Sequence, residues 1–179
     1  MTSAVGVTIA ELNALDRERL VEAIGWVFEH SPWVAELAWT RRPFAGVDDL
    51  HGAMIAAVAD ADRERQTALL RAHPDLGTRA RMSDASVGEQ AGAGLDRLTP
   101  DDYARLQRLN SAYRETFGFP FLFAVKGSTS QQVLAALEDR LPREHEEEFA
   151  EALRQVYRIA RVRLDELFAG REGPRRIDR

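Results

Sequence analysis

No cysteine occurs anywhere in this chain. That absence removes thiolate nucleophiles, disulfide bridges and sulfur-ligated zinc together. Lysine is almost as scarce: Lys126 stands alone, so any Schiff-base chemistry would have to run through it. Histidine is limited to His30, His51, His73 and His145, and none has a second histidine at metal-ligand spacing. No apolar run approaches the roughly 20 residues that a membrane helix needs. The start, Met1-Thr2-Ser3-Ala4-Val5-Gly6-Val7, has neither the basic segment nor the apolar core of a secretory signal, so a cytoplasmic protein is expected. The net charge of −5 gives no general attraction to nucleic acid or to an anionic membrane. An anionic ligand would need a focused pocket.

What is present is a globular balance, 45% apolar and 30% charged over 179 residues, enough for one buried core. One domain over residues 1–170 is expected, followed by a polar tail over 171–179. The periodicity is helical nearly throughout, and the expected fold is an all-α compact bundle. Residues 16–29 place Leu20, Ile24, Val27 and Phe28 on one helical face ending near His30. Ser31 and Pro32 restart the chain as an N-cap and a first-turn proline before Trp33, Leu37 and Ala38. Trp33 and Trp39 read as core or interface. After a turn at Arg41-Arg42-Pro43-Phe44, Asp48 is expected to cap a helix through Leu50, Met54, Ile55 and Val58.

Asp62 caps the next helix, which carries Gln66, Leu69 and Leu70. Thr99 and Pro100 open one that runs through Tyr103, Leu106, Leu109 and Tyr113 to a stop at Gly118. Ser128 or Thr129 caps another, reaching Arg140 before Pro142 breaks it. A last helix covers residues 143–168. Only residues 117–125 read as non-helical: Pro120 turns Phe119 away from the helix region, and a continuous apolar run follows. A lone strand there would leave backbone groups unpaired, so its N–H groups must meet neighbours, water or a ligand.

Three places carry chemistry. In Arg71-Ala72-His73-Pro74-Asp75-Leu76-Gly77 the proline ends a helix and sets His73 on the bend, with Asp75 ready to accept backbone hydrogen bonds or orient a neighbour. Spacing alone favours a plain helix stop. Ser86-Val87-Gly88-Glu89-Gln90 reads first as a capping box, Ser86 and Glu89 serving each other's N–H groups. The same geometry offers a carboxylate, an amide and N–H donors at a helix start, with Gly92 and Gly94 nearby. In the last helix Phe149, Leu153, Val156, Ala160 and Leu167 form one stripe, and Arg163 falls in its middle, while Arg154, Arg158 and Arg161 lie on the polar side. A charge in that position needs an anionic partner, either a ligand or a structural ion pair. On the stripe alone, methionine would fit in its place. His30, His51 and His145 read as surface or packing residues.

Six stretches, in this order along the chain, resemble one family: Ser31-Pro32-Trp33 with Arg42-Pro43-Phe44; His73-Pro74-Asp75-Leu76-Gly77; Ser86 to Gln90 with Ala91-Gly92-Ala93-Gly94-Leu95; Leu109-Asn110-Ser111-Ala112-Tyr113-Arg114; Phe117-Gly118-Phe119-Pro120-Phe121; and Ile159-Ala160-Arg161-Val162-Arg163-Leu164. They are similar to the 2-oxo-4-hydroxy-4-carboxy-5-ureidoimidazoline (OHCU) decarboxylases of urate breakdown, and the likeness runs from about Ile9 to Leu167. The resemblance implies an all-helical, cofactor-free, metal-free homodimer acting on a small ureidoimidazoline, with (S)-allantoin and carbon dioxide as products.

By the same resemblance His73, Glu89 and Arg163 are catalytic. Pro74, Ser86, Val87, Gly88, Glu89, Gln90, Phe121, Leu122, Phe123, Ala124, Val125 and Arg163 bind substrate. The link between His73 and Ser86 is shorter than in many members. The chemistry suits such residues: loss of carbon dioxide leaves an enol-like intermediate that needs one proton on one face, and an imidazole can supply it near neutral pH. Arg163 would bind an anionic or carbonyl oxygen, and N–H groups of the 121–125 segment could hold a developing oxyanion. Two other classes compete: a non-catalytic helical module that binds a small anion or ureide, and a metal hydrolase built on His73, Asp75 and Glu89.

Overall fold

The computed structural model describes residues 7–78 and 84–169, and among them there are nine helices and no strand. Backbone contacts divide the chain into two units, residues 1–61 with 160–179, and residues 62–159. The ends of the chain, which the sequence reading treats as leaderless start and polar tail, lie outside the described residues except for Val7.

The first unit holds α1 (Ile9–Ala14), α2 (Arg17–Ile24), α3 (Trp33–Trp39), α4 (Val47–Ala59) and the final turns of α9 (His145–Ala169). Thr8 and Glu11 start α1 with a reciprocal capping box, and Asp16 caps α2 through Arg19 N. Leu20, Ile24, Val27 and Phe28 are all buried, as the face predicts, yet the helix carrying them is shorter than expected. It stops at Ile24, and the chain turns through Gly25 to His30, whose φ is 45°. A turn in the 24–30 stretch still points Val27 and Phe28 inward, so the periodicity survives the loss of helix.

Two expected caps are replaced. Ser31 does not cap α3: its hydroxyl donates to the Glu29 carbonyl at 3.0 Å, and Pro32 occupies the N-cap position without a side-chain bond. Asp48 does not cap α4, which begins one residue earlier behind Gly46; Asp48 sits inside the first turn and pairs with Arg161. Carboxylates in a first turn favour the helix through its dipole without touching a cap position. Trp39 is half-buried, donates its indole N–H to the Leu15 carbonyl at 3.4 Å and lies under the Arg42 guanidinium.

The second unit contains α5 (Arg63–Arg71), α6 (Asp84–Gly92), α7 (Pro100–Phe117), α8 (Ser130–Arg140) and the first turns of α9. Asp62, Thr99 and Thr129 cap α5, α7 and α8, and Gly118 closes α7 at φ 77°, all at the expected positions. Thr129, not Ser128, makes the α8 cap, reinforced by Gln132. The core is aromatic. Tyr113 meets Phe117 at 4.5 Å and Phe121 edge-on at 5.3 Å, while Phe119 meets Phe149 edge-on at 5.7 Å. His145 packs beside Phe117 and Phe119, and one of its ring nitrogens lies 3.1 Å from the Phe117 carbonyl, in keeping with a packing role.

Candidate active site

The bend at His73 is built as the sequence suggests, with the ring turned inward. α5 ends at Arg71, and the His73 N–H still donates to the Leu70 carbonyl at 3.3 Å before Pro74 ends the pattern. The residue is 6% exposed, and Nδ1 lies 2.9 Å from the Leu69 carbonyl. A carbonyl oxygen only accepts, so Nδ1 carries the hydrogen of this bond. Nε2 is therefore the nitrogen that can gain and lose a proton while the ring stays anchored.

The three residues after Pro74 are each tied to a neighbouring helix. Asp75 accepts from Arg114 at 2.8 Å, the Leu76 carbonyl accepts from Asn110 Nδ2 at 2.9 Å, and the Gly77 N–H donates to Gln90 Oε1 at 2.8 Å. Asn110 and Gln90 are both buried. Gly77 has φ 69°, and a Cβ there would come 2.5 Å from Leu106 Cδ2. The left-handed backbone calls for glycine, and a Cβ there would also displace the tip of the Leu106 side chain.

The expected capping box is not formed. Ser86 and Glu89 both lie inside α6, which begins at Asp84, and an N-cap role for Ser86 is ruled out by its position in the helix. Ser86, Gln90 and Ala93 share the buried face of the segment, four and three residues apart. Glu89 is half-buried, while Val87 and Gly88 lie on the exposed side. Residues 79–83 of the link between His73 and Ser86 lie outside the described residues.

The 121–125 segment is non-helical, as predicted. Phe121, Leu122 and Val125 are buried, Phe123 and Ala124 half-buried. The Leu122 carbonyl accepts from Arg140 Nη1 at 2.7 Å, and the Ala124 N–H donates to Gln155 Oε1 at 2.9 Å. Among the described residues no acceptor meets the N–H groups of Phe121, Leu122, Phe123 and Val125. A buried N–H is costly to leave unpaired, which makes this run a natural donor to an incoming oxygen.

Arg140 is itself held by Glu148, its Nε 2.7 Å from Oε1, and the Tyr113 hydroxyl donates to the same oxygen. Burial first, and then the bond to Glu148, push the Tyr113 phenol well above its ordinary range, so it remains a donor. The Tyr113, Arg140 and Glu148 network, with the separate Gln155 bond to Ala124, escapes a motif-based reading. Its signal is present in α9: Glu148 and Gln155 fall on the buried face with Phe149, Ala152 and Val156, the kind of anomaly that singles out Arg163.

Arg163 lies in the first unit, 1% exposed, in the centre of the apolar face of α9 as the periodicity requires. Nη2 meets Glu29 Oε2 at 3.0 Å and Nη1 the Val27 carbonyl at 3.2 Å. Of the two partners the sequence allows, a structural carboxylate is present. Arg161 is 40% exposed at its side chain and pairs with Asp48 and Asp165 on the polar side. Among the described residues no three His, Asp or Glu side chains cluster as metal ligands. Asp75 is already engaged by Arg114.

Fold and site together define an all-helical protein with an anchored histidine on a pre-proline bend and a backbone-donor segment. The OHCU decarboxylase family model matches residues 13–165. A 2-oxo-4-hydroxy-4-carboxy-5-ureidoimidazoline decarboxylase of Haloferax volcanii is 51% identical, across 91% of this chain and 97% of its own length. One of Halalkalicoccus jeotgali is 48% identical, across 93% of this chain and 95% of its own. The crystal structure of an (S)-allantoin synthase superposes with a TM-score of 0.75 at 33% identity, over 90% of this chain and 54% of that one. The chain belongs to the OHCU decarboxylase family.

Proposed function

We propose that this protein decarboxylates 2-oxo-4-hydroxy-4-carboxy-5-ureidoimidazoline to (S)-allantoin in urate catabolism, as a carboxy-lyase without a cofactor. Family membership supports the reaction class, and the observation that carries the mechanism is the His73 ring fixed through Nδ1 to Leu69. The carbon–carbon bond to the carboxylate breaks, carbon dioxide leaves, and the bonding pair moves toward the adjacent C=N of the ring. The substrate is its own electron sink. The ring nitrogen that receives the pair takes up one proton; the enol-like product then takes a second at the carbon bearing the ureido group, while the hydroxyl oxygen gives one up and becomes the carbonyl.

His73 Nε2 is the proton carrier in this scheme, acting from one face because the opposite ring nitrogen is tethered. Backbone N–H groups of the 121–125 segment stabilise the oxygen that gains charge. Glu89, half-buried on α6, steers the carboxylate or the hydroxyl proton. Pro74, Ser86, Val87, Gly88 and Gln90 complete the substrate contacts on the resemblance. Arg163 also enters on the resemblance alone, as the donor to an anionic or carbonyl oxygen, its guanidinium oriented by Glu29 and Val27. The chain is assigned to one functional domain over residues 1–170, to a homodimer and to the cytoplasm on the same ground; no described helix is long and apolar enough to cross a membrane.

The test is to generate OHCU in place from urate with the two preceding enzymes, and to follow carbon dioxide and the handedness of the allantoin. Accelerated release with (S)-product is expected. Binding of a ureide without carbon dioxide release would replace the enzyme by a binding module.

A further inference from the structure

A short non-helical segment with no strand beside it must find partners for its backbone elsewhere. In the 121–125 segment two such partners are long polar side chains, both almost wholly buried: Arg140 at 4% and Gln155 at 5% exposure. Arg140 takes the Leu122 carbonyl, and Gln155 takes the Ala124 N–H. These two groups are two residues apart, the spacing at which an extended chain turns its polar groups to the same edge. Holding that edge commits the intervening residue, Phe123, to the opposite one.

The two holders are themselves held. Gln155 Nε2 donates to Glu151 at 2.6 Å. Since Glu151 only accepts and the Ala124 N–H only donates, the amide has one permitted orientation. Burial works to raise the Glu151 carboxyl, but the bonds from Gln155 and Arg154 outweigh it and keep it below the usual carboxylate range. Arg140 is fixed by Glu148 and lies over the Phe121 ring, 4.6 Å from its centroid. A buried ionic network is an expensive way to fill space that apolar side chains could fill, and in some proteins what it secures is a single specified arrangement.

We propose that Gln155, seconded by Arg140, is a positioning residue that turns the Phe123 N–H toward the oxygen gaining charge in the reaction. This rests on the decarboxylase reading for the identity of that oxygen. Arg140 is a poor probe, since its loss strands Glu148 in the core. Gln155→Met keeps length and removes the acceptor. The exchange Gln155→Glu with Glu151→Gln returns an acceptor opposite Ala124 and a donor opposite that acceptor.

Two measurements are made on each protein: turnover of OHCU, and the response of the Phe123 backbone amide to added (S)-allantoin in a nitrogen-15 spectrum. Gln155→Met is expected to lower kcat about 10²-fold, the scale of a small misplacement in a preorganised site, with KM within about twofold. Its Phe123 amide should no longer respond to (S)-allantoin, and the exchange should restore both. A merely structural role would lower the melting temperature and leave kcat and the amide response of the folded protein unchanged, which would overturn the proposal. A wild-type Phe123 amide indifferent to (S)-allantoin would overturn it equally. If the wild type releases no carbon dioxide, the decarboxylase reading fails, and the amide response alone then decides for or against Gln155.

Discussion

Arg163 and Glu29 form an ion pair at 3.0 Å with side-chain exposures of 2% and 0%. An apolar stripe read alone suggests that methionine would be welcome at position 163. The pair reverses that expectation, because removing the guanidinium leaves a carboxylate buried without its partner. Arg163→Met should therefore destabilise the fold by about 3–5 kcal/mol, read as a lower urea midpoint. Adding Glu29→Leu should recover most of that loss. Arg161→Met should cost less than about 1 kcal/mol, since its pairs are solvent-exposed. Equal loss from Arg161→Met and Arg163→Met would contradict this assignment of the two arginines.

The Glu151 carboxyl sits below its ordinary range when folded. A depressed carboxylate contributes stability that is present above its unfolded value, about 4.3 for glutamate, and is lost as pH falls through the folded value. Wild type should therefore melt above Glu151→Gln near neutral pH, and the gap should close as the solution is acidified past that window. A gap that widened on acidification would place the sign the other way.

Activity should survive exhaustive dialysis against a chelator. The chain offers no thiolates, and each histidine lacks a second one at ligand spacing. Loss of turnover, restored by one added metal ion, would sink the cofactor-free scheme.

Much of this fold is legible in the sequence because local signals decide it. Asp62, Thr99, Thr129 and Gly118 act within one helical turn, and all four sit where their chemistry requires. Residues 119–125 are likewise read correctly from Pro120 and the unbroken apolar run. The misreadings come from signals that compete. Ser86 and Glu89 have capping-box spacing, but α6 already begins at Asp84. Residues 24–30 keep a helical pattern of burial while the backbone turns. At His73 the bend is legible and the anchoring is not: the bond to Leu69 is local but depends on a side-chain rotamer that spacing does not fix, and the ties from Asn110 and Gln90 depend on packing between helices. The long-range partners of Arg163 and of the 121–125 segment are hidden for the same reason.

The central claim is that His73 Nε2 carries the proton that sets the hand of the product, and His73→Asn tests it most directly. Asparagine can keep a hydrogen bond to the Leu69 carbonyl, so the fold should persist, but it exchanges no proton near neutral pH. General acid–base catalysis is typically worth about 10²–10⁴-fold, and turnover of OHCU should fall by at least that. The intermediate would then take its proton from either face, so circular dichroism of the allantoin should show a racemic product where the wild type gives the (S) form. Optically active allantoin at near wild-type rate from His73→Asn would contradict the account and leave the His73-Pro74-Asp75 bend as a helix stop.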